Sequence, residues 1–114
     1  MREIKFRAIH NQEDLMLHQI EYFTLEDILR GRPVFLHPEH WNFNQFTGLK
    51  DRRGKPIYEG DILESKEFGK LEVFYKNASF FVNREGADAF FGVKQSRRSE
   101  IIGNIYQNLE LLNI

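Results

Sequence analysis

Three short stretches of this sequence carry side chains that could do chemistry. The first is Thr47-Gly48-Leu49-Lys50-Asp51-Arg52-Arg53-Gly54-Lys55, with two glycines, a threonine and four cations. Such a composition suits a loop that cradles phosphate, but that chemistry needs two glycines with four residues between them, then lysine and a hydroxyl residue, between a strand and a helix. Here five residues separate Gly48 from Gly54, and Pro56 follows Lys55. The stretch reads instead as a hairpin turn in which Gly54 supplies a positive backbone dihedral. The second stretch, Tyr58-Glu59-Gly60-Asp61, offers two carboxylates that share a face of a regular strand, as proton transfer would require. No nucleophile stands near them in sequence, and Gly60 suggests a bend. Glu59 and Asp61 therefore read as acceptors for backbone N–H groups at a corner. The third stretch holds His37, Glu39 and His40. Histidines three apart fit one helical turn, but Pro38 lies between them and no cysteine exists to complete a tetrahedral set. Neither a metal nor any other cofactor is expected, and no residue is assigned a catalytic role.

The elements that must position these side chains are short. Ile4, Phe6 and Ala8 alternate with Lys5 and Arg7, the period of a strand with one buried face. After a polar turn, residues 15–20 return as a second strand. Residues 24–31 have the marks of a helix: Thr24 as N-cap with Asp27 at the capping-box position, an arginine in the last turn and Gly31 at the stop. Two turns do not stand alone, so Leu25, Ile28 and Leu29 are expected to pack on something. From Phe43 onward short strands alternate with turn residues, and Leu71, Val73 and Tyr75 against Glu72, Phe74 and Lys76 give the clearest of them. Further strands are predicted at residues 80–82, 89–93 and 99–106, and Asn108 is placed to cap a closing helical turn. Pro56 cannot donate to a ladder, so the strand after it belongs at a sheet edge.

Composition sets the frame. A chain of 114 residues is one domain, able to bury roughly two-thirds of its unfolded surface without disulfides or a structural metal. It has no cysteine, which excludes a disulfide framework and suits a reducing cytoplasm. No apolar run is long enough for a membrane helix, and the charged start is not followed by a signal-peptide core, so a cytoplasmic protein with no membrane contact is expected. Sixteen Lys and Arg against 17 Asp and Glu remove any global attraction to nucleic acid.

Two local features survive that balance. The doublets Phe80-Phe81 and Phe90-Phe91 must send one ring to each face of a strand, leaving Phe81 and Phe91 as candidates for an outward, interface-forming surface. The basic turn, with Lys50, Arg52, Arg53 and Lys55, could alternatively meet nucleic-acid phosphates beside stacking aromatics, and Lys94, Arg97 and Arg98 add a second basic cluster.

The run from Gln45 to Ile62 resembles, without a gap, the hallmark of the YopX family. Ile4-Lys5-Phe6-Arg7-Ala8 resembles the opening of that family, and Ile102-Gly103-Asn104-Ile105-Tyr106-Gln107-Asn108 with Leu111 and Leu112 resembles its closing segment. On this resemblance the hallmark positions are Thr47, Gly48, Leu49, Asp51, Gly54, Tyr58, Glu59, Gly60 and Asp61, with Gly103, Asn104 and Tyr106. Ile9-His10 stands where the family usually has Trp-Asp, and Leu109 replaces a proline. The resemblance implies a small, mainly β protein encoded by bacteriophages and prophages, and brings no catalytic residues with it.

The combined expectation is a single mainly β domain over residues 1–114. Its variable N-terminal part, residues 1–44, carries a short helix and packs on a barrel core, residues 45–114, of SH3-like antiparallel sheets ending in a helical turn. The expected function is that of a non-enzymatic accessory protein working through protein contacts, as a homo-oligomer or with an unknown phage or host protein. The alternative is a nucleic-acid-binding module.

Overall fold

A computed structural model describes residues 4–10, 20–31, 36–84 and 86–112. The fold is mainly β, as expected, with nine strands and two short helices among these residues. The strands are β1 (Lys5–His10), β2 (Ile20–Thr24), β3 (Trp41–Lys50), β4 (Pro56–Tyr58), β5 (Asp61–Ser65), β6 (Gly69–Lys76), β7 (Ser79–Arg84), β8 (Ala87–Phe90) and β9 (Glu100–Asn104); the helices are α1 (Leu25–Arg30) and α2 (Val93–Arg98). The strand expected at residues 15–20 lies outside the described residues except for Ile20, where β2 begins.

The strands form two antiparallel sheets in place of the expected barrel. One has the order β2-β1-β3-β4, the other β8-β7-β6-β5-β9. The difference arises in β3, which is ten residues long and serves two partners. Its first half pairs with β1, from His10 opposite Trp41 to Phe6 opposite Gln45, and its second half pairs with β4. The N-terminal strand therefore sits inside a sheet with the hallmark hairpin. β4, which starts at Pro56, is at the sheet edge, where a missing N–H costs no ladder bond.

Hydrophobic burial joins the sheets. Ile57 of β4 packs with Leu63, Leu71, Val73 and Val82 of the other sheet, and Phe68, Phe91 and Ile101 lean on this cluster. A second cluster, Ala8 and Phe23 with Phe6 and Trp41, holds the N-terminal strands.

Helix α1 forms as its caps predict. Thr24 Oγ1 accepts the Asp27 N–H at 3.3 Å, Asp27 Oδ2 accepts the Thr24 N–H at 2.9 Å, and Gly31 ends the helix at φ +82°. Its apolar residues do not pack as expected: among the described residues Leu25, Ile28 and Leu29 are all exposed. The strand predicted at residues 89–93 is met only by the end of β8 at Ala89 and Phe90; Val93 instead begins helix α2, which was not predicted. Gly92, extended at φ −132°, starts it by donating its N–H to Gln95 Oε1 at 2.9 Å, while its carbonyl receives the Ser96 N–H.

Candidate interaction surface and the buried polar centre

The hallmark residues converge on a polar centre between the sheets, built around Arg7. The Arg7 side chain leaves β1 into a region where a cation survives only if every N–H group finds an acceptor. Nη1 donates to Asp61 Oδ1 at 2.6 Å, Nε to Asn44 Oδ1 at 3.1 Å and Nη2 to the Glu59 carbonyl at 3.1 Å. The Tyr58 ring lies 5.0 Å from the guanidinium. Asn44 then donates to Tyr106 Oη at 2.7 Å. Strands β1, β3, β4 and β5 and the segment after β9 thus meet here, which joins Arg7, Asn44 and Tyr106 to the Tyr58–Asp61 stretch.

Glu59 and Asp61 are occupied as the corner acceptors anticipated for them. Asp61 Oδ2 accepts the Tyr58 N–H at 2.8 Å, and Glu59 Oε1 accepts the Gln45 N–H at 2.9 Å. Burial pushes both carboxyls above their ordinary range, against the pull of Arg7 and of those backbone N–H groups. Burial likewise raises the Tyr106 hydroxyl. Gly60, between the acids, is at φ +88°, and a Cβ there would stand 3.0 Å from Tyr106 Cε2. The acids are fixed in structure, and a cleft of ≈ 540 Å³ opens beside them, lined by Lys5, Tyr22, Lys55 and Gln107 among others.

The rest of the hallmark closes turns. Thr47 Oγ1 donates to the Ile57 carbonyl at 2.8 Å and accepts the Leu49 N–H at 3.1 Å, which bridges the irregularity where Gly48 sits at φ +88°. Asp51 Oδ1 accepts the N–H groups of Arg53 and Lys55, each at 2.9 Å, and Gly54 takes φ +82° as predicted. The other Asp51 oxygen accepts the Ile101 N–H of β9 at 3.0 Å, tying the hairpin to the second sheet. At the closing segment Asn104 Oδ1 accepts the N–H groups of Tyr106 and Gln107. Asn108 precedes a 3-10 turn at Leu109–Leu111, but its side chain makes no cap there; it accepts the Asn104 N–H instead. Gly103 is required by that side chain, since a Cβ would meet Asn108 Oδ1 at 2.6 Å.

The aromatic doublets split between faces, as strand geometry demands. Phe74, Phe81 and Phe90 stand side by side across β6, β7 and β8, their ring centroids 5.6 Å and 4.8 Å apart. This row faces away from the core, and Phe90 at its end is 70% exposed. Phe81 is thus on the outer face, as its candidacy required. Phe91 is not: it packs on the Leu63–Val73 side of the sheet with the core. Its candidacy as an outward ring is replaced by that of Phe90. The same face carries a polar row, Glu72, Asn83 and Asp88, where Asn83 Nδ2 donates to Asp88 Oδ1 at 2.6 Å. Burial, and then the charge of Asp88, raise the Glu72 carboxyl.

The two basic clusters come together around another hollow. Arg52, Lys66, Arg97 and Arg98 line it with Glu64, Glu67 and Glu100, so its charges are mixed. Glu100 pairs with Arg52 at 2.7 Å and Arg53 at 2.8 Å, and Glu67 with Arg98. Lys50 is exposed at the end of β3 and Lys55 borders the cleft beside Asp61. The phenylalanine row is not part of this hollow. His37, Glu39 and His40 meet at an exposed 3-10 turn ahead of β3. Among the described residues no helix is long and apolar enough to cross a membrane.

Comparison with known proteins agrees with this architecture. Residues 5–113 match a family model described as YopX protein. Among solved structures the chain is similar to the crystal structure of protein EF1440 from Enterococcus faecalis: identity is 25%, the alignment covers 99% of this chain and 100% of that one, and the TM-score is 0.59. No curated protein matches the chain.

Proposed function

Because this chain belongs to the YopX family, and its hallmark side chains serve the fold, we propose that it is a non-enzymatic phage or prophage accessory protein that acts through protein contacts and assembles with itself in the host cytoplasm. One observation carries this reading. The phenylalanine row runs out to β8, which ends its sheet with every residue exposed. A sheet edge with an apolar row beside it is a template for another strand, and of its outward groups the Phe90 carbonyl accepts the Gln95 side-chain amide at 3.3 Å, which a pairing strand would displace. A second copy pairing its own β8 antiparallel to the first would continue both ladder and ring row across a two-fold axis. The exposed Leu25, Ile28 and Leu29 of α1 add apolar surface for a further phage or host protein.

Light scattering across a concentration series tests the proposal. A dimer that dissociates on dilution, and that Phe90→Glu converts to monomer at all concentrations, is the expected result. A wild-type chain that stays monomeric at high concentration overturns it.

The competing reading is a nucleic-acid-binding module that uses Arg52, Arg97, Arg98 and Lys66 around one hollow. It is weakened by Glu64, Glu67 and Glu100 in the same hollow and by the lack, among the described residues, of any aromatic ring in its lining. Retention on single-stranded oligonucleotide at low salt, abolished by Arg52→Ala with Arg98→Ala, would favour it over self-assembly.

A further inference from the structure

The turn that leads into β3 gathers His37, Glu39 and His40 at one point of the surface, and we propose that these three side chains bind a borderline divalent cation of the Zn2+ class. Their ligating atoms all lie within 4.8 Å of one another. His37 Nδ1 is 3.5 Å and His40 Nε2 is 3.9 Å from the same oxygen, Glu39 Oε1. Tetrahedral bonds of about 2.0–2.2 Å bring neighbouring ligand atoms to roughly 3.3 Å, a contraction that rotation of exposed side chains supplies.

Backbone geometry explains the convergence and removes the objection that sequence raised. Pro38 does not break this turn; it opens a 3-10 turn, Pro38–His40, closed by the His40 N–H donated to the His37 carbonyl at 3.0 Å. His37, at φ −134°, flanks the turn, and the bond from His40 holds the two residues close together. The His37 and His40 rings accordingly lie parallel within 20°, with centroids 5.1 Å apart. The turn is anchored where it joins the sheet, because Trp41 pairs with His10 across β3 and β1. The His10 ring packs edge-on to Trp41 at 4.8 Å and stands 6.1 Å from the His40 ring, which places a further imidazole beside the cluster.

The donor set determines the metal class. Two imidazoles and one carboxylate suit Zn2+ and its neighbours, and are poor ligands for Mg2+ or Ca2+, which take all-oxygen shells. Three protein ligands leave the fourth position to water, the arrangement of an open site.

The test is Zn2+ binding to the full chain without an affinity tag, by equilibrium dialysis with elemental analysis and by calorimetry. About one equivalent per chain is expected, and His37→Ala and His40→Ala should each weaken binding at least about tenfold. Because these side chains are exposed, both variants should keep the wild-type melting temperature without metal. Co2+ should give the intense visible bands of a low-coordinate N/O site, and Glu39→Gln should change them. Zn2+ at the buffer level only, or binding that survives the double histidine variant, overturns the proposal.

Discussion

Arg7 and Asp61, 54 positions apart in the chain, meet at 2.6 Å in a site where both side chains are almost wholly buried. The pair joins β1 of one sheet to β5 of the other. Removing one partner leaves an uncompensated charge in the interior, which costs more than the pair itself contributes.

Arg7→Ala should therefore lower unfolding stability by about 3–5 kcal/mol in urea titration. Arg7→Lys should recover little of this, since an ammonium cannot direct three bonds to Asp61, Asn44 and the Glu59 carbonyl at once. Full recovery by lysine would show that charge alone, and not the fork geometry, holds the centre.

Gly103→Ala places a Cβ against the anchored Asn108 side chain, 2.6 Å from its Oδ1 and 2.8 Å from its Cγ. A loss of about 1–3 kcal/mol is expected from this overpacking. In a double-mutant cycle, Asn108→Gly should relieve part of that loss; strict additivity of the two changes would argue that the clash is absorbed elsewhere.

The two members of the second phenylalanine doublet should separate cleanly. Phe91→Ala removes a ring that packs on the core and should cost up to about 3 kcal/mol in a thermal or urea melt. Phe90→Ala should leave the monomer's melting behaviour nearly unchanged, because that ring is mostly exposed. Equal losses at both positions would contradict the assignment of faces.

The Glu72 carboxyl is raised by burial and by Asp88, so the folded state disfavours its charged form more than the unfolded state does. Its ionisation thus costs stability at neutral pH, and that cost disappears as pH falls through the raised value towards 4.5. Glu72→Gln should raise the melting temperature at pH 7, with the advantage over wild type shrinking at acidic pH. A pH-independent difference would trace the effect to something other than this carboxylate.

Local chemistry was legible in the sequence wherever a few adjacent residues determine it. Thr24, Asp27 and Gly31 announce α1, Gly54 announces its turn, and the alternation of Leu71, Val73 and Tyr75 announces β6. The doublets announced that rings would part between faces, but the identity of the outward ring at residues 90–91 depends on which face another sheet covers. Pairing across the chain left no such signal. Nothing near Gln45 says that β3 divides its ladder between β1 and β4, and a barrel was the simpler reading of evenly spaced strands. Helix α2 was hidden because its start is a glycine and its body, Val-Lys-Gln-Ser-Arg-Arg, carries no apolar stripe. The polar centre was visible only as hallmark positions; Asn44 and Arg7 joined it through tertiary contact. The histidine turn was set aside on the assumption of α-helical spacing, where Pro38 instead starts a tighter turn.

The tie between Asp51 and the backbone of β9 carries a consequence for how the chain is made. Strand β9 leaves the ribosome after all the other strands, yet its Ile101 N–H completes the Asp51 turn and the segment behind it delivers Tyr106 to Asn44. A nascent chain stopped short of residue 100 holds the whole N-terminal sheet in sequence but lacks the atoms that seal it. Closure is thus a late event built on contacts of large sequence separation, the kind that form slowly. Until then the half-made sheets expose strand edges and aromatic rings, a window in which chaperone capture or aggregation competes with completion.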